Sequence, residues 1–235
     1  MAFISMLIGI YKEFIIMFVL IVIHECGHLL CAKKMGISTK NIIIYPLGGI
    51  CQLEMDINEN PKVELLILLM GPIFQWIAYF LLVFLLKDKE FIKEIHYGIL
   101  SFNLLPIYPL DGGRITNIIV NHFASYRKSF KISIIISYLC TAFILFSQTK
   151  ISINIIILYS VLMFLIRKEE MKKDLYFHKF ILERLLKKYK YKKTIIIDNI
   201  KEMYRYKNNI IKEGNTLISE KDYLFSKYEK ISKNY

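Results

Sequence analysis

The chain has 235 residues, 55% of them hydrophobic, with a mean hydropathy of +0.41 and a formal net charge of +12. A soluble domain of this size hides its apolar residues behind a polar surface. Here they come in long runs, which sets the soluble class aside and assigns the chain to the membrane.

In chain order, residues 1–10 are apolar but too few to span a bilayer as a helix, and Tyr11-Lys12-Glu13 interrupts them. No basic region precedes them and no small-residue cleavage site follows, so no cleavable signal peptide is expected. The stretches 14–32, 65–86, 95–110, 132–147 and 151–166 are apolar apart from a few polar residues. Several approach the roughly 20 residues of a crossing helix. The last two are shorter than the first two, and tilt or bilayer thinning accommodates them. Cys26, Cys31, Cys51 and Cys140 show no paired spacing. Cys26 and Cys31 lie inside an apolar run, which favours small buried side chains over a disulfide or a CxxC metal site.

Charge orders the connections. Lys33, Lys34 and Lys40 follow the first full run, Arg127, Lys128 and Lys131 precede the fourth, and a basic tail follows the fifth. The intervening loops are nearly neutral. If each run crosses once, the 33–62 loop and the tail share the cytoplasmic side. Residues 167–235 hold 19 Lys+Arg against 10 Asp+Glu. No nucleic-acid recognition motif accompanies this excess, so direct nucleic-acid binding is not expected, and an anchor on an anionic leaflet is the favoured reading. Within the tail, 169–193 reads as a charged helix with an apolar stripe of Phe177, Phe180, Ile181, Leu185 and Leu186. Residues 194–198 and 209–218 read as short strands, with a turn at Glu213-Gly214-Asn215.

The first full run ends IVIHECGHLLCAKK. His24 and His28 are four apart, one turn above each other on one helix face. Two imidazoles so placed can bind one zinc ion, and Glu25, pointing beside it, suits a general base toward water. Two hydrogen-bonded structural histidines are the plainer alternative. Against it, ionisable groups in a span are costly, and three within five residues need a shared reason. A third protein ligand is required if one position stays open for water. Asp111, in NLLPIYPLDGGR, is the candidate: Pro109 and Gly112-Gly113 interrupt the helix and can turn the carboxylate inward. Asp-Gly-Gly is also ordinary turn chemistry, which leaves a capping role open. Asn103 is the other polar residue there, able to donate to a developing oxyanion or to hydrogen-bond another helix. His96, His122 and His178 are isolated, with ordinary polar contacts as their expected use.

With HECGH on one apolar segment and LLPIYPLDGG on a later one, the chain resembles the site-2 protease family of intramembrane zinc metalloproteases. YPLGGICQLE (45–54), GPIFQW (71–76) and FILER (180–184) fit the same family. The resemblance covers residues 14 to about 190. It implies Zn2+ held by His24, His28 and Asp111, water activated by Glu25, and Asn103 near the active site. It implies a hairpin-like segment over 45–54, with Pro46, Gly48 and Gly49 beside an unwound substrate held by strand addition. It also implies a membrane-tethered protein substrate, a sporulation sigma-factor (sigma-K) precursor, inhibitory membrane partners, and a mother-cell membrane around the forespore.

The expected fold is therefore an all-α polytopic membrane protein of about five to six spans. To these it adds a β-hairpin-like segment and a small α+β cytoplasmic tail. Residues 1–166 form the transmembrane domain and 167–193 a basic helical linker, while 194–235 resemble part of a CBS domain. A non-catalytic scaffold binding transmembrane helices is the alternative, but it has no need of His24, Glu25, His28 and Asp111 together. A transporter predicts paired broken helices in two repeated halves, and no repeat is visible.

Overall fold

A computed structural model describes residues 11–37, 39–45, 48–53, 55–86, 89–147 and 152–232. The segment 1–10 and Pro46 lie outside the described residues. The chain divides into two compact units, one of residues 1–55 and 62–105, the other of 56–61 and 106–235.

The first unit opens with helix α1 (Tyr11–Lys34), which carries Glu13 in its first turn and Lys33 and Lys34 in its last. That polarity complements the helix dipole at both ends. Gly36, at a φ of 76°, supplies the left-handed residue that ends it. Strands β1 (Thr39–Tyr45) and β2 (Gly48–Leu53) pair antiparallel, with Tyr45 opposite Gly48 and Ile44 opposite Gly49. The expected hairpin is present and begins earlier than the sequence suggests, at Thr39. β2 lies alongside α1.

Helix α2 (Pro61–Leu85) starts with proline at its first position, where the missing N–H costs nothing. Its two faces differ. Ile67, Leu68, Gly71, Gln75 and Ala78 are buried, whereas Ile73, Ile77, Phe80 and Phe84 form an exposed apolar row at helical spacing. A row of that kind suits lipid rather than water. Cys31 and Ala32 of α1 pack on Ile67, so Cys31 is the small buried side chain its setting suggested; Cys26 is half-buried and unbridged. Helix α3 (Lys89–Leu104) completes the unit and packs on α1. The apolar run 95–110 is not one helix: α3 stops at Leu104 and residues 105–110 form a turn. Pro106 and Pro109 explain the stop, since each restricts the residue before it to extended backbone.

The second unit begins with that turn and helix α4 (Asp111–Phe123), followed by α5 (Tyr126–Phe146), α6 (Ile153–Met171) and α7 (Lys173–Leu186). The α4–α5 contact is built on small polar side chains. Ser129, Ser133, Ser137 and Thr141 are buried on one face of α5. Each of the last three donates its hydroxyl to the carbonyl four residues back. Asn117 of α4 donates to Ser133 Oγ at 3.1 Å. Self-satisfied small residues let two helices approach closely where no water is present. Among the described residues, three helices are long and apolar enough to cross a membrane: Lys12–Lys34, Pro61–Leu85 and Tyr126–Phe146.

Beyond α7, strands β3 (Thr194–Ile197), β4 (Asn208–Glu213) and β5 (Thr216–Ser219) form a sheet in that order. β3 and β4 are parallel, and β4 and β5 make a hairpin whose turn holds Gly214 at a φ of 60°. Helix α8 (Glu220–Ser232) follows. The core joins Phe180 and Ile181 of α7 with Ile197, Met203, Ile211 and Leu224, and Tyr126 stacks on Phe180 at 4.4 Å. Of the expected α7 stripe, Phe180 and Ile181 are buried while Leu186 is exposed.

FILER is where the tail grips the 56–61 segment. Glu183 accepts from the backbone N–H groups of Ile57 and Asn58, both at 3.0 Å. Arg184, buried, donates to Asn58 Oδ1 at 2.8 Å, to the Tyr204 carbonyl at 2.9 Å and to Glu220 at 3.2 Å. Its guanidinium also lies 4.8 Å from the Tyr191 ring centroid. Arg184→Leu leaves Glu220 and several carbonyls without their cation, and a broken buried pair costs about 3–5 kcal/mol. We expect the full chain carrying Arg184→Leu to be cut by trypsin within residues 187–207 under conditions that spare the parent. Equal resistance would show that Arg184 does not hold the tail together.

Candidate metal centre

The centre begins with the register of α1. His24 and His28 stand one turn apart on the face turned toward α2, 2% and 6% exposed, with ring centroids 4.8 Å apart. Each ring is held at Nδ1 by an oxygen of α2. His24 Nδ1 lies 2.9 Å from Gln75 Oε1, and His28 Nδ1 lies 2.8 Å from the Ile67 carbonyl. The Nε2 atoms converge on Gly71. A Cβ added there would fall 2.3 Å from His28 Nε2 and 2.8 Å from His24 Nε2. Only a glycine lets the backbone of α2 come so near both rings. A second bare contact draws the helices together, since a Cβ on Gly27 would meet the Met70 carbonyl oxygen at 2.4 Å.

Two imidazoles anchored at Nδ1, with their Nε2 atoms gathered on one bare backbone position, fit a zinc ion. The donor type is right and the outer hydrogen bonds fix ring orientation. Two structural histidines satisfied by polar contacts need no such convergence. Glu25 is half-buried one residue along the same helix. Asn103 is half-buried in the last turn of α3. Gly48 and Gly49 are the first two residues of β2.

Asp111 belongs to the second unit, as the first residue of α4. Leu110 is the N-cap, so Asp111 stands inside the helix rather than capping it. The turn before it is tight. Leu110 N–H donates to the Ile107 carbonyl at 2.8 Å, and Tyr108 N–H donates to Ser137 Oγ at 2.9 Å. A Cβ on Gly113 would lie 2.5 Å from that Ile107 carbonyl, so the second glycine of Asp-Gly-Gly is what allows the helix to start so close to the turn.

Gly71 and Gln75 lie in the GPIFQW stretch that fits the family, but motif spacing gives neither them nor the Ile67 carbonyl a role at the centre. Gln75 also stands out as a lone amide in the apolar run 65–86. Of the remaining histidines, His122 makes the ordinary polar contact expected of it, whereas His96 is packed among rings with its Nε2 buried and without a hydrogen-bond partner among the described residues. His96 is enclosed by Trp76, Tyr79 and Tyr97, and His122 Nδ1 lies 2.9 Å from the Ile118 carbonyl.

Residues 12–101 match Peptidase family M50. Over that segment the chain is similar to the members of the family. The matched segment holds His24, Glu25, His28, Gly71 and Gln75, and ends before Asn103 and Asp111. Over 132 residues the chain is 35% identical to zinc metalloprotease MJ0392 of Methanocaldococcus jannaschii, covering 51% of this chain and 38% of that one. It is 27% identical over 142 residues to stage IV sporulation protein FB of Bacillus subtilis, covering 57% and 49%. It thus spans half or less of the length of these curated relatives. Among solved structures it resembles the site-2 protease from Methanocaldococcus jannaschii, with a TM-score of 0.57 and 27% identity over 71% of this chain and 82% of that one. Zinc is the metal of this family, and the paired histidines suit it.

Proposed function

We propose that this chain is an intramembrane zinc metalloprotease that hydrolyses a peptide bond in a membrane-associated protein, with a sporulation sigma-factor precursor as the substrate class. The observation that carries the reading is the convergence of His24 and His28 Nε2 on Gly71, inside helices long and apolar enough to cross a bilayer. The similarity to stage IV sporulation protein FB supports the substrate class.

In this reading Asp111 is the third protein ligand. Its place at the start of a helix, after a turn fixed by Ser137 and Gly113, gives the carboxylate a rigid base. When bound, zinc acts as a Lewis acid that activates water and polarises the scissile carbonyl. Glu25 takes the proton of the attacking water and returns it to the leaving amine. Asn103 donates an amide N–H to the oxyanion. A helical substrate has its amides internally bonded and must unwind first. The hairpin-like segment 45–54, with Pro46, Gly48 and Gly49 as its substrate-binding residues, would hold the unwound segment by strand addition.

The wider organisation belongs to the same proposal. α3 and α6 are further spans, giving about five to six in all. Residues 1–166 form the membrane domain, 167–193 a basic linker and 194–235 a cytoplasmic module, in a mother-cell membrane where inhibitory membrane proteins restrain the enzyme. The excess of Lys and Arg in 167–235 supports a cytoplasmic tail.

Co-expression with a membrane-tethered sigma-factor precursor tests the reading. A shortened product should appear with the parent chain and vanish with Asp111→Asn, a change that removes the anionic ligand with almost no change of shape. A product equally abundant with Asp111→Asn would remove Asp111 from the zinc site.

A further inference from the structure

Which nitrogen of a histidine can bind a metal depends on where its proton sits, and that is set by the partner of the other nitrogen. For His28 the partner is the Ile67 carbonyl, which only accepts; Nδ1 therefore carries the proton and Nε2 the lone pair. For His24 the partner is an amide side chain, which can present either end. A glutamine turned the other way would donate to Nδ1 and place the proton on Nε2, where it would exclude a metal.

The amide has no such choice. Gln75 Nε2 lies 3.0 Å from the carbonyl oxygen of His96, an acceptor only, and so must be the nitrogen end. The same Nε2 is 3.4 Å from His96 Nδ1. With the nitrogen end committed to His96, Oε1 is the end 2.9 Å from His24 Nδ1. Gln75 and His96 are both fully buried, so water does not substitute for either contact. His96 is itself fixed, stacked on Tyr79 at 4.3 Å and edge-on to Trp76 at 4.6 Å. The chain of constraint therefore runs from the α3 backbone through one amide to one ring.

We propose that Gln75 is a positioning residue that, oriented by the His96 carbonyl, fixes the tautomer of His24 so that its Nε2 lone pair faces the metal. This rests on the reading of His24 and His28 as zinc ligands. It accounts for a polar side chain in the middle of an apolar helix, and for its being neutral. An amide satisfies a donor-requiring and an acceptor-requiring neighbour together without burying a charge.

The test is zinc affinity of the detergent-solubilised full chain, measured by competition with a chromophoric chelator, for the parent, Gln75→Leu, Gln75→Glu and His24→Ala. Gln75→Leu removes the acceptor and should weaken zinc by about 10–100-fold, the usual loss for an outer hydrogen-bond partner. Gln75→Glu keeps an acceptor toward His24, and its protonated form also donates to the His96 carbonyl. It should restore affinity to within about threefold of the parent if the acceptor is what matters. Unchanged affinity in Gln75→Leu overturns the proposal. So does Gln75→Glu binding as weakly as Gln75→Leu, because the residue would then only fill space. If His24→Ala binds zinc like the parent, the ligand assignment fails first. Should Gln75→Leu not fold, 15N shifts of the labelled His24 ring in the metal-free parent decide the matter: a protonated Nδ1 supports the proposal, and a protonated Nε2 overturns it.

Discussion

Gly71→Ala is expected to strip the centre of its metal while leaving the helix that carries it intact. The added methyl would sit 2.3 Å from Nε2 and 2.4 Å from Cε1 of His28, and 2.8 Å from Nε2 of His24. Neither ring can swing aside freely. Each is tied at Nδ1, and leaving a buried polar group unsatisfied costs about 1–3 kcal/mol. A metal bound at about 2.0–2.1 Å tolerates no such displacement of two ligands together. Alanine favours the helix by about 1 kcal/mol over glycine, so the local backbone gives no reason to unfold. Zinc affinity should fall by at least about 100-fold, beyond the loss for an outer partner. Metal analysis of the purified chain after dialysis reads this directly. Zinc retained at the parent level would mean that Gly71 does not face the metal.

Glu25→Gln separates chemistry from binding. Glutamine has the shape of glutamate and remains a hydrogen-bonding group, but it cannot take a proton. Glu25 shares α1 with the two histidines, lies next to His24 and is half-buried. Loss of a positioned general base costs about 10²–10⁴-fold in rate, so cleavage should drop to background in any ordinary assay. Zinc content and partner binding should stay near those of the parent. Cleavage undiminished in Glu25→Gln would refute its role as the base. Loss of zinc along with cleavage would recast Glu25 as part of the metal's support.

Much of this was legible from residue spacing. The four-residue separation of His24 and His28 is a helical statement, and α1 carries it out. The Gly214 turn and the strands on either side follow from β-branched runs broken by a glycine. What escaped were contacts between elements distant in sequence. Nothing in the order of residues shows that Gly71 meets His28, because a glycine in an apolar helix has several uses and its neighbour is 43 residues away. Gln75 was visible as an amide among apolar residues, yet only its partners reveal which end points where. FILER marked the segment that holds Arg184, but the burial of that cation follows from a pocket assembled by Asn58, Tyr191, Tyr204 and Glu220, which sequence order does not show. The run 95–110 misled because hydropathy ignores backbone chemistry. Pro106 and Pro109 are apolar enough to extend the run and still end the helix at Leu104.

If the α1 histidines hold the zinc that the proposed proteolysis needs, the purified full chain in detergent should convert a tethered sigma-factor precursor to a defined shorter product. That product should disappear after chelation and reappear when zinc is returned. A product that persists unchanged in the metal-stripped chain would show that the proteolysis does not depend on this centre.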